Sequence, residues 1–284
     1  MQESLERSVL KVLAYFDMFN YPLLKEEVHF FLDHEVAVED VGSALEQLIS
    51  ARCIYRHGEF YSLNHDRSQA TRRIKGNHHA RTLLTTAHKV SSLLYRFPFV
   101  RGIGISGSLS KNFADEKADI DFFIITKGNR LWIARTLMHL FKKLTFLAGR
   151  QHWFCMNYYV DEEAMLIEER NIFTATELIT LMPVAGNGTL DDFFHVNAWA
   201  MDYFPNARVS NDRQRFNRFP WYKKLTEWIF NNRFGDMLDN YLMKLTSRRW
   251  KKKEENNELN IKGNRMGLRT GKLFSKPNPH HFQK

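Results

Sequence analysis

Two aspartates and a glycine-serine pair are the residues of this chain best suited to do chemistry. Asp119 and Asp121 flank Ile120 and lead directly into the apolar run 122–125. In an extended chain, residues two apart point to the same face, so these carboxylates project side by side. Such neighbours repel each other unless a cation lies between them. Hard oxygen ligands of this kind suit Mg²⁺, which is commonly held by one or two carboxylates together with substrate phosphates. Twelve residues before Asp119 stands Gly107, followed by Ser108. Glycine lets the backbone approach closely, and free N–H groups at a following helix start favour an anion. A phosphate cradle beside a metal-binding acid pair describes phosphoryl or nucleotidyl chemistry. The metal would neutralise a triphosphate and activate an attacking hydroxyl.

The elements that must position these groups follow from the local pattern. Val100–Ser106 reads as a buried strand, Gly107-Ser108 as a turn, and Leu109–Asn112 as a short helix. A polar loop precedes the strand that begins at Asp121. A helix over Leu131–Leu147 and a strand in WFCMNYYVDEE complete the unit. Gly107-Ser108, ten intervening residues and then Asp119-Ile120-Asp121 resemble the signature of the DNA polymerase β-like nucleotidyltransferase superfamily, over roughly residues 80–165. The resemblance implies a small mixed sheet with flanking helices, two Mg²⁺ ions, and transfer of a nucleoside monophosphate from a nucleoside triphosphate to a hydroxyl. It also implies that Gly107 and Ser108 contact the β- and γ-phosphates and that Asp119 and Asp121 ligate metal. The superfamily's third carboxylate lies on a later strand, and here Asn157 stands where an acid is expected. Asparagine ligates a metal weakly through its carbonyl but cannot serve as a base. Asp161 and Glu162, at the end of that strand, are the candidate substitutes. Lys111, one turn past the cradle, and Arg135, one turn into the following helix, are candidate phosphate contacts; each is otherwise a solvated surface cation.

Upstream, apolar spacing predicts helices over residues 4–19, Lys25–Leu32 and Val38–Ala51, then a hairpin around His57-Gly58. Three helices and a hairpin read as a winged helix. The third helix carries Glu39, Asp40 and Glu46 and no base before Arg52, which disfavours insertion between phosphates. A protein partner, self-association or packing on the next domain is the better use for it. The expected class is therefore α+β. The expected divisions are a winged-helix-like domain (1–66), a polar connector (67–79) broken at Gly76-Asn77, a nucleotidyltransferase core (80–165), a helical subdomain (166–250) and a basic tail (251–284). In the helical part, Thr174 reads as an N-cap with Glu177 three residues on. Trp199, Phe204 and Trp221 read as core cover, and Trp228–Trp250 as a single amphipathic helix.

The chain has 284 residues, 44% hydrophobic and 26% charged, which excludes collagen-like, mucin-like and fully disordered classes. Two cysteines, Cys53 and Cys155, support neither a disulfide framework nor a cysteine-rich zinc module and fit a reducing compartment. The acidic start MQESLERSVLKVL and the lack of a long apolar run lead to the expectation of a cytoplasmic protein without a membrane partner. Of the net charge of +9, six units fall in the last 34 residues, where seven Lys and two Arg face three Glu. That tail is either a solvated extension or a site for nucleic acid. The adjacent pairs His78-His79 and His280-His281 lack chelating spacing. Two functions remain in view. One is a Mg²⁺-dependent nucleotidyltransferase with an unknown acceptor. The other is a non-catalytic regulator that binds nucleotide or nucleic acid through a degenerate nucleotidyltransferase domain.

Overall fold

Alternation along one strand organises the molecule. In β5 (Asp121–Thr126), Phe122 and Ile124 enter one apolar cluster while Phe123 and Ile125 enter another. A strand covered on both faces must be apolar at both parities, as the run FFIIT is. The computed structural model describes residues 4–116, 118–146, 153–208, 220–255, 264–269 and 272–277.

β5 lies within a six-stranded sheet. β4 (Val100–Ile105) pairs with it antiparallel, and β7 (Met182–Gly186) pairs antiparallel with β4 on the outer side. β6 (Cys155–Asp161) runs parallel to β5, and α6 (Leu131–Phe146) supplies the crossover that a parallel pair requires. Beyond β6, β9 (Lys272–Pro277) and β8 (Asn264–Arg269) form a hairpin on the sheet edge. The architecture is mixed α/β with a mixed sheet, compatible with the α+β class.

One face of the sheet is packed by Ala87 and Leu94 of α4 (Ser68–Leu94) and by Trp132 and Met138 of α6. The other face carries the N-terminal elements in one continuous cluster with Phe123, Ile125 and Val160. These elements are α1 (Leu5–Asp17), β1 (Leu23–Leu24), α2 (Lys25–Phe30), α3 (Val38–Ser50), β2 (Tyr55–His57) and β3 (Phe60–Ser62). The three short strands form an antiparallel sheet in the order β1-β3-β2. The expected hairpin at His57-Gly58 is present, with Gly58 at φ +68°. α7 (Ile172–Ile179) and α8 (Thr189–Val196) pack on this same face through Leu178 and Phe193.

Several expectations are corrected. The polar connector with a break at Gly76-Asn77 is part of one unbroken 27-residue helix, α4. Its first half is polar because it is held by specific contacts rather than by an apolar stripe. Arg73, 1% exposed, donates to Asn77 Oδ1 at 2.8 Å, Pro22 O at 2.8 Å and Glu27 Oε1 at 2.6 Å. Gly76 is a packing residue: a Cβ there would lie 2.2 Å from Cε2 of Phe113. Residues 166–204 are not helical throughout. Met182–Gly186 is the strand β7, whose buried Val184 and Ala185 read equally well as helix or strand. β7, which pairs with β4, therefore lies beyond residue 165, where the core was expected to end. The cap of α7 is Asn171, whose side chain accepts from the Thr174 N–H at 2.9 Å, not Thr174.

The single helix expected over Trp228–Trp250 is two, α9 (Trp221–Phe230) and α10 (Arg233–Glu255). Asn232 separates them, and its Oδ1 accepts from the Gly235 N–H at 3.1 Å. Trp199 and Phe204 are buried as expected, but Trp221 is 74% exposed and covers nothing. The basic tail is not wholly an extension: α10 runs into it, and β9 and β8 lie in it. His78 and His79 are exposed on α4, and the His280-His281 pair lies outside the described residues.

Candidate active site

Because Asp121 begins β5 and shares the parity of Phe123 and Ile125, it faces the side of the sheet on which the N-terminal elements and α7 pack. There a cleft of about 610 Å³ opens. Gly107, Ser108, Lys111, Asp119 and Asp121 all line it, so five of the residues singled out by type and spacing meet in one place. Arg72, Asp115, Cys155 and Glu177 complete its polar part, while Tyr15, Phe19, Tyr21, Phe113 and Phe173 are among its aromatic wall.

The bend at the end of β4 brings the two halves of the motif together. Ser106 N–H donates to Asp121 O at 2.9 Å, closing the ladder between β4 and β5. The next residue, Gly107, opens α5 (Gly107–Ser110) at φ +72°. A Cβ at this position would lie 2.7 Å from Oδ2 of Asp121. Glycine is thus required twice, for the left-handed backbone and for the close approach of the aspartate.

An anion already occupies the cradle. Glu177, reaching in from α7, accepts from the Gly107 N–H at 3.3 Å and from Lys111 Nζ at 2.7 Å. Lys111 Nζ also donates to Gly107 O at 3.1 Å. The second cleft cation, Arg72, pairs with Asp115 at 2.8 Å and lies over the Phe113 ring at 4.7 Å. Among the described residues, the cleft lining holds four carboxylates, Asp115, Asp119, Asp121 and Glu177, and two cations, Arg72 and Lys111. Burial, and then repulsion from Asp119 and Glu177, push the Asp121 pKa up to about 6; a Cys155 hydrogen bond and Lys111 oppose the rise. A half-buried carboxylate beside two like charges is the donor chemistry that a hard divalent cation relieves. Asp119 and Asp121 are hard oxygen donors of the kind that Mg²⁺ takes.

The remaining predicted residues lie elsewhere. Arg135 does not line the cleft; it is half-buried on α6 with its guanidinium over the Trp132 ring at 5.6 Å, and burial lowers its pKa. Asn157 stands in β6 where the register with β5 shifts, between Met156 opposite Phe122 and Tyr158 opposite Phe123. Its side chain lies outside the described residues. Asp161 cannot substitute for a third acid in the cleft. β6 is parallel to β5, so Cys155 sits beside Asp121 while Asp161 sits beside Thr126 at the far end, roughly 16 Å along the strand. Glu162 is there too, 4.0 Å from Arg101.

Sequence reading missed Glu177, Cys155, Arg72 and the aromatic wall. Glu177 was accounted for as a capping residue, and only the docking of α7 shows where it points. Cys155 was reachable in principle, since a parallel partner strand places its first residue beside the first residue of β5. No protein-family model matches the chain, and no curated protein or solved structure matches it either. Among the described residues, no helix is long and apolar enough to cross a membrane.

Proposed function

We propose that the chain is a Mg²⁺-dependent nucleotidyltransferase that moves a nucleoside monophosphate from a nucleoside triphosphate to a hydroxyl acceptor. The observation that carries this reading is the convergence of Gly107, Ser108, Lys111, Asp119 and Asp121 on one cleft whose cradle already holds a carboxylate. The order strand, glycine bend, short helix, Asp-x-Asp strand, crossover helix and parallel strand supports the nucleotidyltransferase-like identity. The N-terminal order of three helices and a β-hairpin supports a winged-helix-like module.

Asp119 and Asp121 would hold Mg²⁺, which when bound supplies charge neutralisation of the triphosphate and activation of the acceptor hydroxyl. Lys111 and the Gly107 N–H would hold phosphate oxygens in place of the Glu177 carboxylate. Glu177, released from Lys111, is then the cleft carboxylate best placed to accept the acceptor's proton, a role that Asn157 cannot fill.

The test is Mg²⁺-dependent transfer of label from nucleoside triphosphates labelled at the α-phosphorus, in wild type and in Asp119→Ala/Asp121→Ala protein. Transfer by wild type alone supports the reading, and equal activity in both proteins refutes it. A binding-only regulator is the second reading, favoured by the Lys111–Glu177 pair, which engages the one further acid at the cradle. Mg²⁺-dependent nucleotide binding by calorimetry, with no turnover against any hydroxyl acceptor tried, selects it.

A further inference from the structure

The cleft has two unlike halves. Its polar half comes from the glycine bend, the acid pair and α7. Its aromatic half comes largely from the N-terminal segment, which supplies Tyr15, Phe19 and Tyr21 opposite Phe113 and Phe173. Drug-sized ligands occupy pockets of about 300–1,000 Å³, so one cleft of this volume suits one nucleotide-sized molecule.

The aromatic half is held in shape from several directions. After α1 the chain turns through Asn20 at φ +51°. This turn is tied to α4: Gln69 donates to Asn20 Oδ1 at 3.3 Å, and Arg72 donates to Asn20 O at 3.3 Å. Phe19 is thereby left at the cleft with 47% of its surface exposed, its ring edge-on to Tyr15 at 5.6 Å. Tyr21 meets Phe113 edge-on at 5.7 Å, and its hydroxyl donates to Lys111 O. Gly76 leaves the space in which the Phe113 ring sits. The Tyr15 hydroxyl hydrogen-bonds to Thr176, which precedes Glu177 on α7, so this ring stands where the aromatic and polar halves meet.

We infer that the N-terminal segment is a substrate-binding wall, and that Tyr15 and Phe19, with Phe173, take the planar base of the nucleotide whose phosphates lie at Gly107 and Lys111. This rests on the nucleotide reading of the site. A ligand that is anionic at one end and a flat π-system at the other matches both halves, and a nucleotide carries both within one molecule. Aromatic side chains stack on any base, so the wall contributes affinity without strong choice among bases. It also gives the winged-helix-like module a role in which its acidic third helix is no obstacle.

The experiment compares ATP with inorganic tripolyphosphate, each with Mg²⁺, by calorimetry on wild type, Phe19→Ala and Tyr15→Ala, with folding of each variant checked by circular dichroism and thermal melting. Wild type is expected to bind ATP roughly 10- to 100-fold more tightly than tripolyphosphate. Phe19→Ala, which removes a half-exposed ring, is expected to weaken ATP by about 5-fold or more and leave tripolyphosphate unchanged. Equal affinities for the two ligands in wild type overturn this inference while the phosphate site stands. A Phe19→Ala effect of the same size on both ligands overturns it as well. Binding of neither ligand overturns the nucleotide reading and this inference together.

Discussion

Two sets of carboxylates stand at opposite ends of the same pair of parallel strands, and the chain treats them oppositely. At the N-terminal ends of β5 and β6, Asp121 faces Asp119 and Glu177, and Lys111 and a Cys155 hydrogen bond oppose the repulsion. At the C-terminal ends, a recess of about 270 Å³ is lined by Asp161, Asp236 and Asp239. There each acid is answered by a donor. Asp161 accepts from the N–H groups of Asn129 at 3.3 Å and Glu163 at 3.0 Å. Asp239 accepts from the Ile133 N–H at 2.8 Å at the start of α6, and Asp236 pairs with the buried Arg130. Burial pushes Asp121 and Asp239 alike up to about 6, so a raised pKa does not tell the two sets apart. What separates them is the balance of partners. The recess acids cap backbone and tie α10 to α6 and β6, whereas Asp121 stands in the cleft beside two further carboxylates, Asp119 and Glu177.

That contrast can be broken by mutation, from the largest expected effect downward. Asp121→Ala should lower the proposed transferase activity by roughly 10²–10³-fold or more, measured with saturating Mg²⁺, while Asp161→Ala should leave that activity in the folded protein within a few-fold. Comparable losses in both would erase the distinction between the two ends. Asp161→Ala should instead reduce stability by about 1–3 kcal/mol in urea unfolding, because the Asn129 and Glu163 N–H groups lose a buried acceptor.

Asp121→Asn sharpens the comparison from the other side. The folded-state pKa of Asp121 lies above its ordinary value, so the wild-type group favours the fold most below pH about 4 and loses that contribution as pH rises through about 6. Above pH 6 without metal, the asparagine variant should therefore be more stable than wild type by about 1–2 kcal/mol. The difference should shrink as pH falls from 6 to 4, as thermal melts across that range would record. A variant less stable than wild type at pH 7 would place Asp121 with the structural acids. The smallest expected effect belongs to Glu177→Ala. Vacating the cradle should tighten binding of Mg²⁺-tripolyphosphate by about 2- to 10-fold, read by calorimetry, whereas weaker binding would show that Glu177 helps hold the ligand rather than occupying its place.

How far the sequence could be read depended on whether the signal was local. The two strands around Gly107 and Asp121 announce themselves by apolar runs and by the turn between them. The Asp-x-Asp pair follows from the two-residue repeat of an extended chain, and Lys111 from one helical turn. The first part of α4, residues 68–79, was misread as a connector because it is stabilised by Arg73, Gly76 and Asn77, whose partners are remote in the chain or masked by polarity. β7 was misread as helix because a short apolar run has no period of its own. Asp161 was offered as a third acid because distance along a strand was not yet tied to direction; the parallel pairing of β5 and β6 sends it away from the cleft.

The amino-acid order alone determined that two carboxylates lie side by side next to a glycine bend, because backbone geometry enforces contacts between residues close in sequence. Only the tertiary structure decided that Glu177 enters the cradle, that Arg72 guards its edge and that α1 walls it with aromatic rings. Those residues come from segments whose positions are set by burial of apolar surface over the whole sheet, and no local rule encodes where such segments meet.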